Sequence, residues 1–185
     1  MQLCVIDFET ANDHPESACS IGIVVFEDGI LIHQDAFLIK PASKYDYFTE
    51  MNISIHGIRP SDVEDAPNFS ESYDRLRPWF NTCILAAHFA PFDLSVLKSL
   101  YKYYALAKPL TFCIDSVELS RKCFPRLVNH KLNTVCEYLD IPLNHHDALS
   151  DALGSALIFM NVMAINNEYD ILALIKRYNL KTYHL

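Results

Sequence analysis

Apolar residues fall along this chain in two rhythms, and the change from one to the other outlines a fold. Leu3 to Phe8 is a short apolar run of the kind buried on both faces of a sheet. Cys19 to Phe26 repeats the pattern, Glu27-Asp28-Gly29 is a turn signal, and Ile30 to Ile39 is a third extended stretch ended by Pro41. These three strands predict an antiparallel meander. The segment KYDYFTEMNISIHGI, Lys44 to Ile58, is polar with scattered aromatics and predicts a loop. Helical spacing then takes over. It predicts helices over Asn68 to Phe80, with Asn68 or Ser70 as N-cap, and from Pro91 to about Tyr104. Further helices are expected from a cap at Asp115 or Ser116 through Cys123, and over Lys131 to Leu139. Ala148 to Ala164 carries the strongest amphipathic pattern, and Tyr169 to Tyr178 predicts a last helix packing on the surface. Short apolar strands interleave at Cys83 to Ala87 and Leu110 to Ile114. A meander followed by alternating helices and strands predicts an α/β fold, a three-layer α/β/α sandwich with a mixed sheet.

Composition narrows this picture without changing it. With 185 residues, 51% of them hydrophobic and 21% charged, the chain suits a single domain over 1–185, with 165–185 as a C-terminal helical extension. A formal net charge of −8 argues against a broad surface for binding duplex nucleic acid. The six cysteines form no C-x-x-C pair and mostly sit in apolar runs, which predicts reduced core thiols and not a zinc site. The N-terminus lacks a basic n-region and meets an acid at Asp7, so no signal peptide is expected. No apolar run is expected to span a membrane. Together these features predict a cytoplasmic protein with no membrane association.

The candidate chemistry lies in three separated segments. In VIDFET, Asp7 and Glu9 are two apart on a strand and share one face. Two anions side by side repel unless cations accompany them. In AHFAPFD, Asp93 falls in the first turn of a predicted helix. In HHDALSDALG, Asp151 opens the strongest helix on its sheet-facing side, with His145 and His146 just before it. Each segment also has a plain structural reading: surface acids at a strand end, or acids complementing a helix dipole. Taken together, four carboxylates and a histidine suggest metal-dependent phosphodiester hydrolysis, with the histidine as proton acceptor.

These segments resemble the DEDDh superfamily of 3′→5′ exonucleases, the type found in the proofreading epsilon subunit of DNA polymerase III and in ribonuclease T. The first family motif, D-x-E-T, is present as Asp7-Phe8-Glu9-Thr10. The second, A-H-N-x-x-F-D, is present as Ala87-His88-Phe89-Ala90-Pro91-Phe92-Asp93, with Phe89 where the family has asparagine. The third, H-x(4)-D, is present as His146 to Asp151, followed by Ala152. Ile55-His56-Gly57-Ile58 and His130-Lys131-Leu132 match smaller family pieces. The resemblance runs from about Leu3 to Met163, and it implies a ribonuclease H-like exonuclease fold.

The resemblance further implies two Mg²⁺ or Mn²⁺ ions held by Asp7, Glu9, Asp93 and Asp151, with His146 as general base. The motif spacing selects His146 over its neighbour His145. It implies a substrate pocket around Phe8, Thr10, Ile55, His56 and Phe89, with Phe92 more in keeping with the core. Arg121, Lys122, Arg126, His130 and Lys131 form the only local basic cluster, readable as a phosphate track or as a solvated helix face. The leading expectation is hydrolysis of single-stranded DNA from its 3′ end to nucleoside 5′-monophosphates, with a possible replication or repair partner. Two alternatives stand beside it. One is an exoribonuclease or oligoribonuclease acting on RNA 3′ ends. The other is a catalytically silent nucleic-acid-binding module of a polymerase or repair complex.

Overall fold

The computed structural model describes all residues, 1–185. Its core is one six-stranded mixed sheet in the order β3-β2-β1-β4-β5-β6. The meander forms as expected: β1 (Gln2–Thr10), β2 (Ala18–Glu27) and β3 (Ile30–Leu38) run antiparallel. β4 (Ile84–Ala87) joins β1 in parallel, and β5 (Phe112–Asp115) joins β4 in parallel. A two-residue strand, β6 (Tyr183–His184), closes the far edge antiparallel to β5.

Seven helices cover the sheet: α1 (Glu50–His56), α2 (Phe69–Phe80), α3 (Ala90–Tyr103), α4 (Ser116–Cys123), α5 (Leu132–Tyr138), α6 (Ala148–Asn166) and α7 (Ile171–Tyr178). Strand alternation sorts the core into two layers. Cys4, Ile6 and Phe8 point with Ile21, Ile23 and Val25 toward Phe69, Leu76 and Phe80 of α2 and Leu94 and Leu97 of α3. Leu3 and Val5 point the other way with Val24, Ala86 and Ile114, toward Leu119 of α4, Ala156 and Phe159 of α6, and Leu174 of α7. The three-layer sandwich is therefore present. Asp7 and Glu9 continue the second set, so the alternation of β1 alone aims both carboxylates toward α6.

The caps follow local chemistry. Asn68 accepts the Glu71 N–H while Glu71 accepts that of Asn68, a reciprocal capping box. Asp115, not Ser116, caps α4 by accepting the Val117 N–H at 2.8 Å.

Several expectations need correction. The polar segment before Ile58 contains α1, capped by Thr49 and ended by Gly57 at φ 78°. No residue of α1 is buried, so it shows no apolar stripe for a periodicity reading to find. The last helix does not simply rest on the surface: Ile171 and Leu174 are fully buried, and Lys122 Nζ donates to the carbonyls of Tyr178 and Asn179. Nor is α6 amphipathic in the expected way. The sheet, α4 and α5 pack around it, so it is buried over most of its circumference. With 19 residues and a mean hydropathy of 1.6 over its most apolar 18, α6 is long and apolar enough to cross a membrane, contrary to expectation, yet it is the central core helix.

Candidate active site

One glycine brings the site together. Gly22 of β2 lies opposite Asp7 of β1. A Cβ at this position would sit 2.1 Å from the Ala148 carbonyl oxygen, so only glycine lets the first turn of α6 dock on the sheet. That docking sets Asp151 beside Asp7 and Glu9, and ligand oxygens of all three lie within 4.8 Å of one another. The loop entering α6 is tied down. Asp147 accepts the Ser150 N–H at 2.9 Å, and the Asn144 N–H donates to Ser150 Oγ at 2.8 Å.

Asp93 reaches the cluster from the opposite helical layer. It is buried in the first turn of α3, and its Oδ1 accepts the Phe8 N–H at 3.0 Å. It lies outside the tight group of three, but its charge acts on both Asp7 and Glu9. The structure thus gathers carboxylates from β1, α3 and α6, far apart in sequence, into one region.

The electrostatics favour a cation. No lysine or arginine pairs with any of these acids, and the only ionic partner of Asp151 is His145. Burial, then the charges of Asp93, Glu9, Asp151 and Asp147, holds the Asp7 carboxyl well above the usual range. Burial followed by Asp151, Asp93 and Asp147 pushes Glu9 up to about 8. Asp93 also rises to about 8, chiefly through burial and against the Phe8 N–H. Burial raises Asp151 too, against its bonds from the His146 N–H and His145. Carboxylates so placed either keep protons or take a divalent cation, and an all-oxygen donor set fits a hard one.

A stability prediction follows. Glu9 and Asp93 titrate near 8 in the folded protein but at roughly 3.9–4.3 when unfolded. Between these values the folded state binds more protons, so the stability these groups contribute is complete below about pH 4 and lost as pH rises toward about 8. Metal-free protein should therefore melt at progressively lower temperature across that window. A divalent cation, which needs the deprotonated acids, should raise the melting temperature more at pH 8 than at pH 5. Calorimetry in chelator and in Mg²⁺ checks both, and a metal-free melting temperature that climbs with pH contradicts the assignment.

The tandem histidines share the other side of Asp151. His145 Nδ1 lies 2.9 Å from Asp151 Oδ2, whereas His146 offers its backbone N–H to that oxygen at 3.0 Å. The two rings stack with centroids 3.8 Å apart. His146 has a left-handed backbone at φ 70°. Its imidazole is held below the usual range by burial and by His145, with Asp151 opposing. It is therefore neutral at pH 7.

The expected pocket residues divide by role. The Phe8 ring is buried in the core, which leaves only its backbone facing the site. The Thr10 carbonyl is already held by Asn52 Nδ2 at 2.7 Å and by His56 Nε2 at 3.1 Å. With Nδ1 of His56 also accepting the Ile58 N–H at 3.0 Å, both His56 ring nitrogens are engaged. Ile55 is exposed on α1. Phe89 is exposed at the start of α3, and so is Phe92, which the expectation of a core residue missed. Helical phase explains this: Asp93 and Leu94 take the inward face of that turn.

The basic cluster also divides. Arg121, His130 and Lys131 line a cleft of about 420 Å³ with Asp7, Asp151, His145 and Phe89. Lys122 instead pairs with Glu118, and Arg126 lines a separate hollow beside Tyr138. Two residues not singled out for the site brace this cleft. His88 bridges Ser116 Oγ at 2.7 Å and the His130 carbonyl at 3.0 Å, and burial lowers it to about 4, so it stays neutral. Asp115 accepts the N–H groups of Phe89 and Val117. In the sequence Asp115 looks like no more than a helix cap.

Comparison with known proteins agrees with this geometry. The RNase_T exonuclease family model matches residues 4–159. The PolC-type DNA polymerase III of Caldanaerobacter subterraneus subsp. tengcongensis is 30% identical over 173 residues, covering 92% of this chain and 12% of that protein. The chain spans only about a tenth of the length of such curated relatives, from 8% to 12%. The fold matches exonuclease X in complex with 5′ overhanging duplex DNA, with a TM-score of 0.71, 20% identity, and coverage of 89% of this chain and 93% of that one. It also matches the nuclease domain of 3′hExo, a DEDDh family member, bound to rAMP, with a TM-score of 0.74, 20% identity, and coverage of 91% and 94%. A family that generally needs divalent metal ions suits the acidic cluster seen here. By family match, fold and motif order, this chain belongs to the RNase_T exonuclease family.

Proposed function

We propose that the chain is a 3′→5′ exonuclease that removes nucleoside 5′-monophosphates from single-stranded DNA ends, as one domain over 1–185. The observation that carries this reading is the convergence of Asp7, Glu9 and Asp151 within ligand distance with no lysine or arginine to neutralise them. Asp7, Glu9 and Asp151, with Asp93 on the far side, would hold two Mg²⁺ or Mn²⁺ ions. Bound there, such ions neutralise the carboxylates, acidify a water and stabilise charge on the leaving oxygen.

The remaining work falls to the chain. The neutral His146 imidazole takes the proton of the attacking water, and the His146 N–H keeps Asp151 in position. Arg121 and Lys131 face backbone phosphates from the cleft wall. DNA is favoured over RNA because the relatives similar over most of this chain are PolC-type DNA polymerases, which also supports a cytoplasmic replication or repair setting.

A time course on 3′-labelled single-stranded DNA, duplex DNA and RNA tests the reading. Mononucleotides should appear fastest from single-stranded DNA, and EDTA should stop the reaction. With two cleft cations available, log affinity against log salt should slope at about −1.4, from roughly −0.7 per contact on single strands. Release of internal fragments, or activity in excess chelator, contradicts the reading, and a strong preference for RNA moves the substrate to RNA ends.

A further inference from the structure

Phe89 holds a backbone conformation that its side chain disfavours. It lies at φ 69° and ψ 55°, in the left-handed region where a Cβ crowds the following carbonyl and where glycine or asparagine is the usual occupant. Asp115 keeps it there by accepting its N–H at 3.0 Å. Burial does not offset the strain, because Phe89 is 58% exposed. A large ring that takes little from the core and sits on a strained backbone points to a use outside folding.

The surroundings indicate the use. Phe89 lines the same cleft as Asp7 and Asp151, with Arg121 and Lys131 on the wall. Cationic groups that track phosphates, combined with an exposed aromatic face, form the arrangement that binds single-stranded nucleic acid. We propose that Phe89 is a stacking platform for an unpaired nucleobase beside the scissile phosphate, and hence a residue that selects single-stranded over paired ends. A base inside a duplex already has both faces stacked and offers none to the ring. The inference rests on the exonuclease reading and adds to it the residue that discriminates between ends.

Two variants separate stacking from strain. In Phe89→Asn the left-handed backbone becomes comfortable and the ring is lost, whereas Phe89→Leu keeps the strain and the apolar bulk without a π-face. The readouts are melting temperature and the binding of a single-stranded oligodeoxynucleotide ending in 3′ 2-aminopurine, whose fluorescence is quenched on stacking. Binding is measured in Ca²⁺, a hard cation suited to carboxylate sites. Phe89→Asn should raise the melting temperature by about 2–4 °C and weaken oligonucleotide binding by about tenfold, with quenching lost. Phe89→Leu should weaken binding similarly with little change in melting. Affinity for blunt duplex ends should change less in both.

Unchanged affinity and quenching in the two variants would overturn the proposal, as would wild-type protein that binds without quenching or fails to bind. A lower melting temperature for Phe89→Asn would show that the ring is a packing element and would overturn it equally. None of these readouts requires hydrolysis, so they stand apart from the time course that tests the exonuclease reading.

Discussion

Asp7→Asn and Asp151→Asn should each lower the rate of DNA hydrolysis by about 10³-fold or more, equivalent to about 4 kcal/mol of transition-state stabilisation. Neither change should unfold the protein. Asparagine has nearly the shape of a protonated aspartate, and burial raises both carboxyls above their usual range, with neighbouring acids adding to the rise at Asp7. Removing one charge also relieves the repulsion within the group of Asp7, Glu9 and Asp151. The melting temperature of each metal-free variant should therefore equal or exceed that of the wild type. The rise on adding Mg²⁺ or Mn²⁺ should shrink, because a ligand charge is gone. Melting curves with and without cation, measured beside single-turnover rates, check both halves. A variant that keeps wild-type activity, or one that loses its fold in chelator, contradicts the assignment of these acids as metal ligands.

His146→Ala should slow hydrolysis by about 10²–10⁴-fold, the usual contribution of a positioned general base. His145→Ala should cost far less, although it is the His145 ring, 2.9 Å from Asp151, that makes the visible side-chain contact. The distinction follows from what each residue does without cations. The His145 ring gives Asp151 a hydrogen-bond partner, a role that a bound metal would take over. His146 places its backbone on Asp151 and leaves its imidazole, stacked on His145, free of any side-chain hydrogen bond to an acid. The pH profile separates the two. Burial and His145 lower the His146 pKa, so the wild-type rate should rise with pH through a limb below the ordinary histidine value. That limb should vanish in His146→Ala and persist in His145→Ala. If His145→Ala removes it instead, the roles of the two histidines are exchanged.

What could be read from the sequence were features carried by adjacent residues. The apolar runs of β1, β2 and β4 and the capping residues of α2 and α4 are local signals, and they led to a three-layer sandwich with a mixed sheet. The spacing of two between Asp7 and Glu9 put them on one strand face whatever their partners. What escaped the sequence depends on residues far apart in the chain. No residue of α1 is fully buried, so the helix leaves no periodic trace. The two residues of β6 acquire strand geometry only because β5 offers them an edge. α6 looks one-sided in sequence, but α4, α5 and the sheet surround it. The site shows the same division. Residue types and spacing picked out the segments bearing Asp7, Asp93 and Asp151. Only the tertiary fold made Gly22 the contact that lets α6 approach β1, gave Asp115 its hold on Phe89, and sent Arg121 and Lys131 to the cleft while turning Lys122 and Arg126 away. Alternation and capping are properties of neighbouring backbone units and survive in the bare sequence. Close approach, desolvation and charge repulsion arise between distant segments, and they exist only once packing has brought those segments together.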